Sequence, residues 1–342
     1  MSKKIASFGE VMMRLEVPGY GLLSQGSTLN YSFSGTGVNV ASALSRYGHT
    51  GYMITTLPDN PLGDAALSYL QKLGINMSLA QRGGCYIGSY FLENGFGARP
   101  SRVTYTNRLE SSFNTADGAL YSFTEIADKM DAITFCGITL AMNDNVRGQM
   151  KQLAAAVKNK GGKVVFDCNY RPSLWGKDGY EAARPHYEEM LQLADIVLMN
   201  EKDALHVLGM QSQAEARKEQ LLELIPQVAK AYHIAVIAGT QRTIHPDNTH
   251  SLLGYIYREQ AFSFADANRF AVYDRIGAGD AFTSGIVHGV LEQLASGEII
   301  AFAVAAGMLA HTVAGDTPMA NVHDINQAAA YAMNQTVRDI ER

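Results

Sequence analysis

Between Asp274 and Leu291 the chain reads DRIGAGDAFTSGIVHGVL. A glycine turn, Gly277-Ala278-Gly279-Asp280, runs directly into a helix pattern whose apolar stripe is Ala281, Phe282, Ile286, Val287, Val290 and Leu291. Small residues let the backbone turn tightly and let a ligand come close. The free N–H groups of a first helical turn, with the helix dipole, favour negative charge. An acid at that point works against simple phosphate holding. It suits a site where phosphate meets a hydroxyl and the Asp280 carboxylate takes the hydroxyl proton. The four residues alone fit a capping role for Asp280 equally well, because Asp is a favoured helix cap.

Other reactive side chains stand where strand-like runs end. Asp167-Cys168-Asn169, Asn200-Glu201 and Gly239-Thr240 close the runs at 163–167, 195–199 and 234–238, and a further run covers 132–136. Helical stretches at 144–159, 179–193, 201–208 and 214–231 alternate with them. Such alternation implies βαβ units and a parallel sheet, which binds ligands at the carboxyl ends of its strands. Arg171, just past one such end, and Arg108 carry guanidinium groups suited to paired hydrogen bonds with a carboxylate. The bland alternative is a surface arginine in a weak ion pair.

Further elements must frame these groups. Residues 4–8 read as a buried strand, and Ser34-Gly35-Thr36-Gly37 as a second glycine turn feeding a helix that Gly48 ends. A strand at 52–57 precedes a helix at 61–73 opened by Asp59-Asn60-Pro61. Residues 11–33 alternate weakly, and 85–106 contain two strand-like runs joined by Glu93-Asn94-Gly95-Phe96-Gly97. These two segments predict a small sheet apart from the main core. Residues 251–257 and 269–273 read as two more strands, and 297–313 and 323–333 as alanine-rich helices.

Composition bounds the function. The 342 residues are 47% hydrophobic, enough for a sizeable core in one large α/β domain or one domain with an insertion. The net charge is −5 and no basic run stands out, which argues against nucleic acid. Cys85, Cys136 and Cys168 form no CxxC pair, a pattern expected of a reducing cytoplasm without structural zinc. The start, MSKKIASFGEVMM, has no leader pattern, and no run reaches the roughly 20 apolar residues of a membrane span. The expectation is a cytoplasmic protein without a membrane partner.

Three separated pieces resemble the ribokinase-like (PfkB) carbohydrate kinases: the DxxGAGD run, Gly35-Thr36-Gly37-Val38-Asn39, and Asn200-Glu201-Lys202-Asp203. The resemblance covers nearly the whole chain in the right order. It implies an α/β fold with a mostly parallel sheet between helices and a small β-sheet lid. One kinase domain would span 1–342, its lid formed by about 11–34 and 85–112. The runs GEVMMRLEVPGYG, GDAALSYLQKLGI, YFLENGFGARPSRVTY, FDCNYRPSLW and DRIGAGDAFTSG are similar to one branch, the 2-keto-3-deoxygluconate (KDG) kinases.

That resemblance implies ATP-dependent, Mg²⁺-assisted phosphorylation of KDG to 2-keto-3-deoxy-6-phosphogluconate. Asp280 would be the base, with the amides of Gly277, Ala278, Gly279 and Asp280 as the anion hole. Gly35, Asn39, Tyr90, Tyr105, Arg108, Arg171 and Asp316 would hold the sugar acid. Asn200, Gly239, Thr240, Gly277, Gly279 and Ala306 would line the nucleotide site, and Glu201 and Asp203 would hold magnesium through water. The sequence departs from the branch in three places. Asp203 stands where Glu is usual, Ser34 and Gly37 replace a glycine and an acid, and Tyr105 and Arg108 are one residue further apart. Two rival readings are a kinase for another sugar, such as fructose or a different keto acid, and a sugar- or nucleotide-binding protein that no longer transfers phosphate. Exposed edges on the lid suggest a homo-oligomer formed through it.

Overall fold

The computed structural model describes residues 2–334. Its strands are β1 (Lys4–Phe8), β2 (Met12–Glu16), β3 (Asn30–Ser34), β4 (Thr50–Ile54), β5 (Thr56–Leu57), β6 (Gln81–Arg82), β7 (Gly88–Glu93), β8 (Arg102–Thr106), β9 (Ala132–Cys136), β10 (Lys163–Asp167), β11 (Ile196–Leu198), β12 (Val236–Ile244), β13 (His250–Arg258) and β14 (Ala261–Phe270). The helices are α1 (Thr36–Arg46), α2 (Pro61–Lys72), α3 (Ser112–Thr115), α4 (Phe123–Lys129), α5 (Gly137–Leu140), α6 (Asp144–Asn159), α7 (Gly179–Leu193), α8 (Arg217–Tyr232), α9 (Ala278–Leu291), α10 (Ser296–Ala310) and α11 (Val322–Asn334).

Eight strands form the main sheet in the order β14-β13-β12-β11-β10-β9-β1-β4. The run from β12 to β4 is parallel, and β13 and β14 add to its edge antiparallel. Both faces of the parallel strands are covered, as such sheets require. Side chains alternate between the two layers: Val164 and Phe166 face the layer of α4, α6, α7 and α8, while Val165 faces that of α1, α9, α10 and α11. α6 shows how the sequence makes such a layer. Asn143 caps it by accepting from the Val146 N–H, and Val146, Met150, Leu153, Ala154 and Val157 form its buried stripe.

The four strands β3-β2-β7-β8 form a second sheet, with β2 and β7 parallel and the outer pairs antiparallel. Its strands come from the two segments expected to stand apart from the core. It is not a wholly exposed layer, because Leu92 and Arg14 on it are buried. Among the described residues no helix is long and apolar enough to cross a membrane.

One strand lies elsewhere than expected. β14 spans Ala261–Phe270 and is not centred on 269–273. Glu259 and Gln260 join it to β13 in a two-residue loop with φ of 54° and 60°. Tight hairpins want that backbone, but glycine or asparagine usually supplies it. Glu-Gln carries no such signal, so the sequence does not mark where this strand starts.

Candidate active site

The carboxyl ends of β9, β10, β11 and β12 open into a cavity of about 820 Å³, which Met12, Ser34, Tyr90, Val103 and Tyr105 of the small sheet bound on one side. Asp280 lies on its wall in the first turn of α9, only 7% exposed. Gly277 occupies the cap position with a φ of 81°. A Cβ there would lie 1.7 Å from the Asp316 carbonyl oxygen, so only glycine fits. Asn39 on α1 donates its Nδ2 hydrogen to Asp280 Oδ2 at 2.6 Å. Thr317 donates to the Oδ1 of the same amide at 3.3 Å, which sets its orientation. Burial pushes the Asp280 carboxyl up to about 6, while the Asn39 hydrogen bond and the Arg171 charge pull the other way. Such a group is ionised at neutral pH and more basic than an ordinary carboxylate.

The residues expected to face a sugar acid all reach this cavity: Gly35, Asn39, Tyr90, Tyr105, Arg108, Arg171 and Asp316. Gly35 has a φ of 150°, and a Cβ on it would lie 2.4 Å from the Glu10 carbonyl oxygen. The Tyr90 hydroxyl donates to Asp316 Oδ2 at 2.5 Å and lies 3.0 Å from Ser34 Oγ. Ser34, a departure from the related branch, thus becomes a partner of Tyr90. Gly37, the other departure, is buried where a Cβ would meet Met53 Cε at 2.9 Å. Asn107, with a φ of 51°, turns the chain between Tyr105 and Arg108, and both face the cavity. Arg108 pairs with Glu10 at 3.0 Å and lies over the Tyr105 ring at 5.0 Å. Arg171 is exposed on the wall and makes no ion pair with a described residue.

The nucleotide-side expectations divide. Asn200, Gly239, Thr240, Gly277 and Gly279 line the cavity; Ala306 does not. Ala306 is 2% exposed in the core, within a helix whose small residues serve close packing. On its neighbour α9, a Cβ at Gly285 would lie 2.6 Å from the Ala303 Cα.

The metal-side pair divides too. The Asp203 carboxylate accepts from the Asn200 N–H at 2.8 Å and faces the cavity. Glu201 is fully buried away from it, held by Arg217 at 2.5 Å and Gln241 at 3.1 Å. Residues two apart at a helical turn point in nearly opposite directions, so one sequence run cannot present both to one cavity. Asp167, visible beforehand only as a strand-end acid, takes the place beside Asp203. Burial pushes both carboxyls up to about 7, with the charge of Asp280 adding to the effect on Asp167 and that of Asp167 on Asp203.

Arg14, which no local pattern in the sequence marks, is 1% exposed on β2. It binds Asp316, reaches Glu16 at 2.9 Å and Asp274 at 3.4 Å. Asp274 in turn accepts from the Ile276 N–H at 3.1 Å and the Gly315 N–H at 3.3 Å. The small sheet is therefore tied by one buried cation to both loops that build the glycine turn. Glu10, Arg242, Arg275 and His311 all line the cavity. No local pattern marks them, except that Arg275 stands inside the glycine run itself.

Comparison with known proteins places this cavity in a family. The chain is 36% identical to a crystal structure from Enterococcus faecalis provisionally assigned as a 2-keto-3-deoxygluconate kinase, with a TM-score of 0.92 over 99% of this chain and 100% of that one. A 2-dehydro-3-deoxygluconokinase structure from Thermotoga maritima is 30% identical, with a TM-score of 0.91 over 96% and 99%. A 2-dehydro-3-deoxygalactonokinase from Haloferax volcanii is 26% identical over 96% of each chain. The pfkB family carbohydrate kinase model matches residues 2–322, and with that match spanning both the sheet and the glycine turn, the chain belongs to the pfkB family of carbohydrate kinases.

Proposed function

We propose that this enzyme transfers the γ-phosphate of ATP to the 6-hydroxyl of 2-keto-3-deoxygluconate, the compound also called 2-dehydro-3-deoxygluconate. The observation that carries the reading is a buried, raised carboxyl at a helix N-terminus, in one cavity with an unpaired arginine. Asp280 takes the hydroxyl proton as the sugar oxygen bonds to the γ-phosphorus and ADP leaves. The amides of Gly277, Ala278, Gly279 and Asp280 face the charge that develops on the transferring group. Arg171 supplies the fork for the sugar carboxylate, since Arg108 is already paired with Glu10. The small sheet closes as a lid that keeps water from the phosphate.

Magnesium fits Asp203 and Asp167. Both are partly buried carboxyls raised to about 7, a condition a divalent cation relieves. Among the described residues no cluster of three or more potential ligands could hold a metal by itself. Two carboxylates completed by water and nucleotide phosphates are an ordinary magnesium arrangement. When bound, the ion neutralises phosphate charge.

A second substrate, the C4 epimer 2-keto-3-deoxygalactonate, is favoured by the H. volcanii relative. ATP consumption should therefore be measured with both epimers, fructose and ribose. KDG should give the highest kcat/KM, and efficient turnover of fructose without KDG would rule the reading out. Arg171→Ala should raise the KM for the keto acid about tenfold or more and leave that for ATP nearly unchanged. Asp203→Asn should raise the magnesium concentration needed for half-maximal rate. We further propose a cytoplasmic homodimer formed through the unpaired edges β3 and β8, where Tyr31, Val103 and Tyr105 are exposed. A solution mass of one 37.1 kDa chain would exclude the dimer.

A further inference from the structure

At the β12 end of the cavity two arginines stand without partners. Arg242 lies two residues past Thr240, and Arg275 two residues before Gly277. Both line the cavity and are open to solvent, and neither guanidinium makes an ion pair or hydrogen bond with a described residue. Partial burial and then the charge of Arg275 lower the Arg242 pKa. The acid nearest in sequence, Asp274, is already engaged by Arg14 and by two backbone N–H groups.

Asp274 lends this corner some negative charge, acting on His311, but Arg14 already engages it. His311 is 2% exposed and lines the cavity. Its Nδ1 bonds the Gly307 carbonyl oxygen at 2.7 Å, while its Nε2 is buried without a partner. Burial, then the charges of Arg242, His311, Arg275 and His245, push His250 down to about 4. Like charges brought together oppose the fold unless a counter-charge arrives, and here the open side is the cavity. The required ligand is a polyanion. Tyr90 and Tyr105 belong to the small sheet and Arg108 follows its last strand, whereas Arg242 stands on β12 of the main sheet.

We propose that Arg242 and Arg275 form a guanidinium clamp on the polyphosphate of the nucleotide, a role that rests on the kinase reading above. Forked guanidinium groups suit phosphate oxygens better than point charges do. The position of Arg275 directly before the glycine turn puts its charge next to the group being transferred. His311 Nε2 is left as an acceptor for a ligand hydroxyl.

The test is direct binding of ATP, ADP, AMP and adenosine to the wild-type chain and to Arg242→Ala, Arg275→Ala and the double variant, with no sugar present. Each single change should weaken ATP about tenfold or more, and the double change further, with adenosine affinity unaltered. Arg242→Lys with Arg275→Lys keeps the charge and loses the fork, so it should fall between. Unchanged ATP affinity in the double variant overturns the clamp, as does equal weakening of ATP and adenosine. If the wild-type chain bound no ATP, the clamp and the kinase reading would fall together. If ATP binds but KDG is not phosphorylated, only the substrate assignment falls and the clamp stands.

Discussion

Replacing Asp280 with asparagine should lower kcat by about 10²–10⁴-fold, with little change in the KM for either substrate. Asparagine keeps the shape and can still accept the Asn39 hydrogen bond, so the loss reports the missing base. The same variant should be no less stable. The Asp280 carboxyl is raised from 3.8 to about 6, so the native state binds its proton more tightly than the unfolded chain does. Stability from this group is then fully present below pH 4 and is lost as pH rises through about 6. At neutral pH the ionised form disfavours the fold by on the order of 3 kcal/mol, which the amide removes. Asp280→Asn should therefore melt at an equal or higher temperature at pH 7.5, with near-total loss of turnover. For the wild-type enzyme, kcat/KM should rise as pH passes through about 6. A variant retaining near-normal kcat would remove Asp280 as the base.

The second large effect belongs to Arg14. Arg14→Met keeps most of the volume and removes the cation from three carboxylates, those of Glu16, Asp274 and Asp316. Stripping the partner from a buried charge typically costs about 3–5 kcal/mol, which in a chain of this size means a fall of about 5–10 °C in Tm. Adding Asp316→Asn to Arg14→Met should restore part of that loss, since one of the stranded charges is then gone. Additive effects in the double variant would show that the two side chains do not act together. Because Asp274 and Asp316 also shape the glycine turn, the single variant should lose kcat as well, even at temperatures where it stays folded.

Several site residues were legible because they sit in short runs with a local reason. Gly277 is a glycine because the Asp316 carbonyl oxygen leaves no space for a Cβ. Asp280 follows at the start of an apolar helix, where the stripe and the turn are both visible. Asp203 follows a strand end and reaches the cavity as expected. Glu201 and Ala306 were misplaced for the opposite reason. Each lies in a suggestive run, but which way it faces depends on Arg217 of α8 in one case and on the α9–α10 packing in the other. Those partners lie on the next helix of the chain or its neighbour, and no periodicity shows them.

The amino-acid sequence by itself determined the parallel α/β layer, the separate small sheet and the glycine turn with its acid. These follow from side-chain alternation, helical stripes and glycine placement, all of which act over a few neighbouring residues. Only the tertiary structure decided that Asn39 holds Asp280, that Arg14 joins the small sheet to Asp274 and Asp316 beside the glycine turn, and that Arg242 and Arg275 line one cavity. Each of these is a charge or hydrogen-bond relation between groups many residues apart. Its strength depends on burial and distance, which exist only once the sheet has brought the strand ends together.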